Sequence, residues 1–162
     1  MEFEELTNII QEIKPIIENN PGLVIFARER SKFEGWLKVE ICGILSKYFE
    51  DVTPEKGRID ICFGEWGIEL KTVNTNIRYD GVKNKIRPIT KNTQGVIDDI
   101  DKLSKSTTPK KAVMFVAFPI EHDNKNWQIQ LNRIKERLSK LMACPFVFND
   151  GTVKGVVYLG LV

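Results

Sequence analysis

The sequence predicts one α/β domain in which helices flank a central mixed β-sheet. Apolar residues recur every three or four positions in segments long enough to be helices. These segments alternate with short apolar runs that are bounded by turn residues, which is typical of strands. The chain has 162 residues, of which 42% are hydrophobic and 28% are charged, and this suffices for one buried core.

Each predicted element has its own signal. Apolar periodicity predicts helices at residues 2–20, 31–49, 93–105 and 127–142. The first helix is expected to stop at Asn19-Asn20-Pro21-Gly22, and Ser31 with Glu34 forms a capping-box pattern for the second. Strands are predicted at residues 58–63, 66–73, 111–119, 145–148 and 153–161, the last two joined at Asn149-Asp150-Gly151.

Composition argues against several classes of protein. The longest uncharged apolar run, residues 112–120, is much shorter than the roughly 20 residues of a membrane-spanning helix. The acidic start of the chain is unlike a secretory signal, and three widely spaced cysteines argue against a disulfide scaffold or a structural zinc site. A single histidine, His122, excludes a multi-histidine metal site. We therefore expect a cytoplasmic protein without a membrane partner.

The most informative stretch is residues 58–71. If Gly64-Glu65 is a two-residue hairpin loop, Ile61 faces Ile68 and Ile59 faces Leu70, so that one face of the hairpin is continuously apolar. A single register therefore satisfies the hydrophobic pattern of both strands.

The same register places Asp60 directly opposite Glu69, with Lys71 two residues further along on the same side, opposite Arg58. Facing side chains have Cβ atoms ~5 Å apart, and two carboxylates that close repel each other. Hard oxygen ligands suit Mg²⁺, which would compensate the repulsion, and a neighbouring lysine could position or activate a water. These are the components of metal-assisted phosphodiester hydrolysis. The alternative is an exposed strand face on which acids and lysines are only solvated.

Asp60 followed by Glu69-Leu70-Lys71 resembles the D…(D/E)-x-K signature of the PD-(D/E)XK nuclease superfamily, which includes restriction endonucleases and Holliday-junction resolvases. The resemblance covers residues 28–120: an acidic helix, the hairpin, a second helix and an apolar strand. It implies a restriction-endonuclease-like core, in a single domain with a helical extension at residues 1–27 and a helix plus hairpin at residues 121–162. Ile59 departs from the pattern, which has proline there.

The resemblance also implies roles for individual residues. Asp60, Glu69 and the main-chain carbonyl of Leu70 would bind Mg²⁺, with Mn²⁺ as a substitute, and Lys71 would orient or deprotonate the attacking water. Members of these families often carry another glutamate on the first core helix, and both Glu34 and Glu40 qualify. These two lie about 240° apart around a helix, so only one can point at the site. Glu34 is slightly favoured, although its capping-box role would account for it equally well.

Residues 71–111 hold ten basic and four acidic side chains, an excess that suits a surface for phosphates. A polar, glycine-containing loop leaves the second strand of the hairpin and could follow a nucleic acid backbone, with Asn74 and Asn84 near base edges. A flexible surface loop is the alternative. The candidate nucleic-acid contacts are Asn76, Arg78, Lys83, Lys85, Arg87, Lys91 and Gln94.

Three functions follow as expectations. The first is a Mg²⁺-dependent endonuclease that cuts DNA in restriction or repair, with a homodimer expected where both strands are cut. The second is a non-catalytic nucleic-acid-binding module with the same fold. The third is a structure-selective nuclease such as a junction resolvase.

Overall fold

A computed structural model describes residues 1–84 and 88–162. Its helices are α1 (Phe3–Glu18), α2 (Pro21–Arg28), α3 (Glu34–Leu45), α4 (Ile89–Ser104) and α5 (Lys125–Lys135). Its strands are β1 (Thr53–Lys56), β2 (Ile59–Phe63), β3 (Trp66–Asn74), β4 (Lys110–Phe118), β5 (Lys140–Val147) and β6 (Lys154–Leu161). They form one mixed sheet in the order β1-β2-β3-β4-β6-β5, in which β3 and β4 run parallel and the other neighbours run antiparallel.

Helices cover both faces of this sheet, as predicted. On one face, apolar side chains of α1, α2 and α3 pack against Met114, Val116 and other residues of the strands. On the other face, α4 and α5 pack against Val113, Phe115 and Tyr158. Successive residues of β4 thus enter opposite cores, which explains why its sequence is continuously apolar. Within the described ranges, no helix combines the length and apolarity that crossing a bilayer requires.

The start of the chain differs from the prediction in its helix boundaries. Helix α1 ends at Glu18, next to the predicted stop, but a second helix follows that was not predicted. The side chain of Asn20 accepts hydrogen bonds from the amides of Gly22 and Leu23 and so caps α2, with Pro21 as the first helical residue. The predicted capping box at Ser31 is also wrong, because α3 begins at Glu34 with Phe33 in the cap position. Asparagine, proline and glycine occur at both ends of helices, and here the same residues end α1 and start α2.

The predicted helix at residues 127–142 is too long at its carboxyl end. Helix α5 stops at Lys135, and residues from Lys140 onward form β5, the edge strand that pairs with β6. Leu138 and Leu141 continue the helical spacing of α5, but pairing with a distant strand decides the structure of this segment. Pro145 lies in this edge strand, where the absence of an N–H group discourages pairing with another chain. The C-terminal hairpin itself is confirmed, with Gly151 in the left-handed region at φ 74°.

Candidate active site

The β2–β3 hairpin has the predicted register near its turn. Ile61 pairs with Ile68 and Phe63 pairs with Trp66, with Gly64 at φ 49° in the loop. Glycine adopts this conformation without the steric penalty that a side chain would bring. The apolar side chains of these four residues enter the core on the α3 side of the sheet.

Below Ile61 the two strands separate, so the predicted pairing of Ile59 with Leu70 is not formed. On its other edge, β2 stays paired, with Ile59 opposite Lys56 of β1. A Cβ placed on Gly67 would lie 3.3 Å from two carbons of Ile59, so this side chain covers Gly67 rather than continuing the apolar face. The hairpin therefore opens at the position where the sequence predicts a pair of carboxylates.

The opening leaves main-chain amides of β3 without partners on β2, and two carboxylates take them. Asp60 accepts a hydrogen bond from the amide of Leu70 at 2.8 Å, and Glu34 of α3 accepts one from the amide of Thr72 at 2.9 Å. In an extended strand the amide and carbonyl of one residue point to the same side, so the carbonyl of Leu70 also faces this gap. Hydrogen bonds from unpaired amides of β3 thus fix the positions of both carboxylates.

Each carboxylate of the predicted pair also has a lysine partner. Lys38 of α3 lies 2.7 Å from Asp60, and Lys102 of α4 lies 3.0 Å from Glu69. Lys102 also donates to the carbonyl of Arg58 at 2.7 Å, which joins the helix to the start of β2. Two helices on opposite faces of the sheet thus deliver cations to the same pair of acids.

Burial makes the two carboxyls titrate differently. Glu69 is 4% exposed, and its burial, followed by its hydrogen bond with Asp60, raises the pKa of Glu69 to about 7 against the opposing effect of Lys102. Burial also acts to raise the pKa of Asp60, but Lys38, the Leu70 amide and Glu69 outweigh it and hold that pKa below its ordinary value. Near pH 7 Glu69 is therefore only partly ionised, whereas Asp60 is ionised.

Lys71 projects from β3 toward α4, where its ammonium lies 2.9 Å from Asp99. Its side chain passes Gly95, on which a Cβ would lie 3.3 Å from Cε of Lys71. Partial burial acts to lower the pKa of Lys71, but the ion pair with Asp99 and the charges of Glu34 and Asp60 outweigh it and raise the pKa. Lys71 is therefore a fixed cation beside the carboxylate pair.

Of the two glutamates proposed on the first core helix, Glu34 lies at this site and Glu40 does not join it. Glu34 reaches the amide next to Lys71 in sequence, and its charge acts on Lys71. Glu40 makes no hydrogen bond or ion pair with any residue that the structure describes. The helical geometry that separates the two residues accounts for this difference.

The predicted nucleic-acid contacts do not form a single cluster. Arg78 and Lys91 are exposed, whereas Lys83 pairs with Glu29 at 3.1 Å. Gln94 donates to Asp98 and accepts from Arg133 of α5, so its hydrogen bonds run away from the carboxylate pair. Asn76 has φ 54° and a buried amide, and the predicted contacts Lys85 and Arg87 lie outside the described residues.

Sequence reasoning missed Lys38, Asp99 and Lys102, which complete the site. The helical pattern of α4 carried a signal, since its buried residues Val96, Ile97, Ile100 and Leu103 define the face turned to the sheet. Asp99 and Lys102 flank that face and therefore lie at the sheet surface. The pattern of α4 alone does not predict that these two side chains contact β3.

The chemistry of the donor set suits a hard divalent cation, although the described residues contain no group of three or more His, Cys, Asp or Glu side chains arranged to hold a metal ion. Mg²⁺ keeps several waters and uses one or two carboxylates, so Asp60, Glu69 and the Leu70 carbonyl are an adequate set. The raised pKa of Glu69 beside Asp60 shows that this position favours positive charge. The chain matches no protein-family model, no curated protein and no solved structure.

Proposed function

We propose that this protein is a metal-dependent endonuclease that hydrolyses phosphodiester bonds in DNA. The observation that carries the proposal is the position of Asp60 and Glu69, side by side where β2 separates from β3, with Lys71 on the same strand. Two facing acids, one of them buried, are unfavourable for stability, whereas they are useful for binding a cation.

The order of the elements supports the same assignment. Along the chain, helix α3 is followed by the short strand β1, the β2–β3 hairpin, helix α4 and strand β4, and β4 lies parallel to β3. This is the order of an acidic helix, hairpin, helix and apolar strand that the resemblance to the PD-(D/E)XK superfamily implies. We therefore assign residues 28–120 to a restriction-endonuclease-like core.

Asp60, Glu69 and the carbonyl of Leu70 would hold Mg²⁺, or Mn²⁺ in its place. When bound, the ion supplies a coordinated water of lowered pKa and neutralises charge on the phosphate. The arrangement supports this set, because Asp60 is held by the Leu70 amide and Glu69 directly precedes Leu70 on β3. Glu69 would bind the ion in its ionised form.

Lys71 acts as a positively charged group that orients the attacking water and stabilises charge on the phosphate. Its raised pKa keeps it protonated, which favours this role over proton abstraction. Asp99 and Gly95 of α4 fix its direction, the first through an ion pair and the second by leaving room for the chain. Glu34 positions the strand next to it through the Thr72 amide.

Removal of either carboxylate tests the proposal. Purified wild-type protein should cut circular single-stranded or supercoiled DNA with Mg²⁺ and not with EDTA. Asp60→Asn and Glu69→Gln should each slow cutting at least about a hundredfold, since they remove a cation ligand without removing volume. Glu40→Gln makes the same chemical change outside the site and should leave the rate unchanged.

A DNA-binding module without catalysis is the competing function. It predicts that wild type binds DNA but does not cut it with either metal ion, and that the Asp60 and Glu69 variants bind as wild type does. Measuring binding by fluorescence anisotropy beside cleavage separates these outcomes, and circular dichroism confirms that each variant is folded.

A further inference from the structure

A cleft with a volume of about 630 Å³ lies between the loop that follows β3 and the exposed face of α5. Asn76 and Arg78 of the loop form one wall, and Asn126, Ile129 and Gln130 of α5 form the other. This volume lies within the range of sites that hold small molecules or single building blocks of polymers. None of the residues that are described as lining it is acidic.

The loop wall is held in place from behind by Arg30, which is buried. Its guanidinium donates to the side chain of Asn74 at 2.9 Å and to the carbonyl of Ile77 at 2.6 Å. Asn92 of α4 donates to the carbonyl of Asn74 at 2.7 Å. The loop is therefore anchored on one side to the segment after α2 and on the other to α4, which fixes this wall of the cleft.

The polar groups of the cleft are carboxamides that have hydrogen-bonding capacity left over. The amide atoms of Asn76 are buried within the loop, so this residue shapes the wall and its amide does not face the cleft. Asn126 is exposed on α5 and makes no hydrogen bond to a described residue, and Gln130 uses only its oxygen, which accepts from Arg133 at 3.0 Å. Both side chains therefore have amide groups available to a ligand in the cleft.

The apolar and charged parts of the cleft complement these amides. Ile129 is 62% exposed although it is a large apolar side chain, and Ile89 at the start of α4 also lines the cleft. Arg78 is exposed at the rim and has no ion-pair partner among the residues described. An apolar wall, amides that both donate and accept, and a cation at the rim match a base, its Watson–Crick edge and its phosphate.

Strand β3 and helix α4 link the cleft to the proposed active site. Its loop extends β3, so Asn76 lies five residues beyond Lys71 along the chain. At ~3.3 Å per residue this separation is at most ~17 Å, the length of about five stacked nucleotides. Helix α4, which begins at the cleft with Ile89, carries Asp99 at the site. One DNA strand can reach both places.

We propose that this cleft binds one unpaired base of the DNA, so that the enzyme acts on DNA containing an unpaired nucleotide rather than on continuous duplex. The inference rests on the proposed nuclease function and names its substrate class. A base inside a duplex shows only its groove edges, and its face and Watson–Crick edge become accessible when it leaves the stack. A cleft with apolar walls and exposed amides suits a base that has left the stack.

The test is a binding measurement in EDTA, where no cutting occurs. Fluorescein-labelled duplexes of one sequence are compared: fully paired, with one bulged nucleotide, and with the bulged nucleotide made abasic. Wild type should bind the bulged duplex about tenfold more tightly than the other two. The double variant Asn126→Ala/Gln130→Ala, on the surface of α5, should lose this preference, with binding of paired duplex changed less than about twofold. Asn132→Ala, exposed on the same helix outside the cleft, should behave as wild type.

Equal binding of the bulged and paired duplexes by wild type would overturn the inference, as would a preference that survives in the double variant. If wild type nevertheless cuts DNA with Mg²⁺, only the role of the cleft is rejected. If wild type binds none of the three duplexes and cuts no DNA, the proposed nuclease function is rejected as well.

Discussion

Glu69 shows how a single residue can link stability to function. Its carboxyl is buried beside Asp60, and this environment raises its pKa from 4.5 to about 7. Between these two values the folded protein binds more protons than the unfolded chain. The stabilising contribution is therefore complete below pH 4.5 and is lost as the pH rises through about 7.

Glu69→Gln should remove this pH dependence. Glutamine keeps the volume and can donate to Asp60, but it does not ionise. The variant should be more stable than wild type at pH 8 by about 1–3 kcal/mol, with the difference shrinking toward pH 5. Urea unfolding at several pH values without divalent metal measures it. Glu40→Gln should follow the wild-type curve, and parallel curves for Glu69→Gln and wild type would contradict the assignment.

The residues of the site differ in how far the sequence reveals them. Asp60, Glu69 and Lys71 could be identified because a hairpin register relates them over a few positions. Lys38 and Lys102 reach the same carboxylates from helices on opposite faces of the sheet. Their proximity to the carboxylates depends on tertiary packing. Lysines are so common on helix surfaces that the sequence does not show which of them reach the site.

Helix α4 determines the direction of Lys71. Gly95→Ala adds a Cβ that would lie 3.3 Å from Cε of Lys71, close enough to displace the ammonium from Asp99. Alanine favours a helix over glycine by about 1 kcal/mol, so stability should be maintained or increased. Cleavage should fall at least about tenfold, since small misplacements are costly in catalysis.

The matched control is Gly43→Ala on α3, where a new Cβ would contact nothing within 4 Å. It should raise the thermal midpoint slightly and leave cleavage unchanged. Thermal unfolding and plasmid cleavage of both variants decide the matter: a Gly95→Ala protein that cuts at the wild-type rate would show that the fit of Lys71 against α4 is unimportant.

Strand β6 depends on glycine for a different reason. Phe146 of β5 lies across Gly155, so a Cβ there would be 2.5 Å from its ring and 2.9 Å from the carbonyl oxygen of Ala117. Gly155→Ala should therefore destabilise the fold by about 1–3 kcal/mol through overpacking. The urea midpoint measures this loss, and an unchanged midpoint would mean that the ring moves away without penalty.

At the level of elements, strand β4 could be predicted because both of its faces are buried, which makes its sequence apolar throughout. Strand β5 could not, because its leucines continue the periodicity of α5 and its pairing partner β6 is brought to it only by the fold. The opening of the β2–β3 hairpin below Ile61 was also missed. Ideal alternation predicts continued pairing, whereas the carboxylates of Asp60 and Glu34 take the β3 amides at this point.

The whole molecule places the site where three parts of the fold meet. The opened hairpin supplies the carboxylates, α3 reaches them from one face of the sheet, and α4 reaches them from the other. The loop after β3 leads from this point to the cleft at α5. We propose that DNA follows this path, and that two copies of the chain act together where both strands are cut.

The measurement that tests the central claim most directly is cleavage of negatively supercoiled plasmid by wild type and by Lys71→Ala, each with Mg²⁺ and with EDTA. Such plasmid offers both paired and transiently unpaired DNA. We expect wild type to convert it to nicked or linear forms only with Mg²⁺, and Lys71→Ala to do so at least about a hundredfold more slowly. Cutting by wild type that persists in EDTA, or by Lys71→Ala at the wild-type rate, would contradict a nuclease site built from Asp60, Glu69 and Lys71.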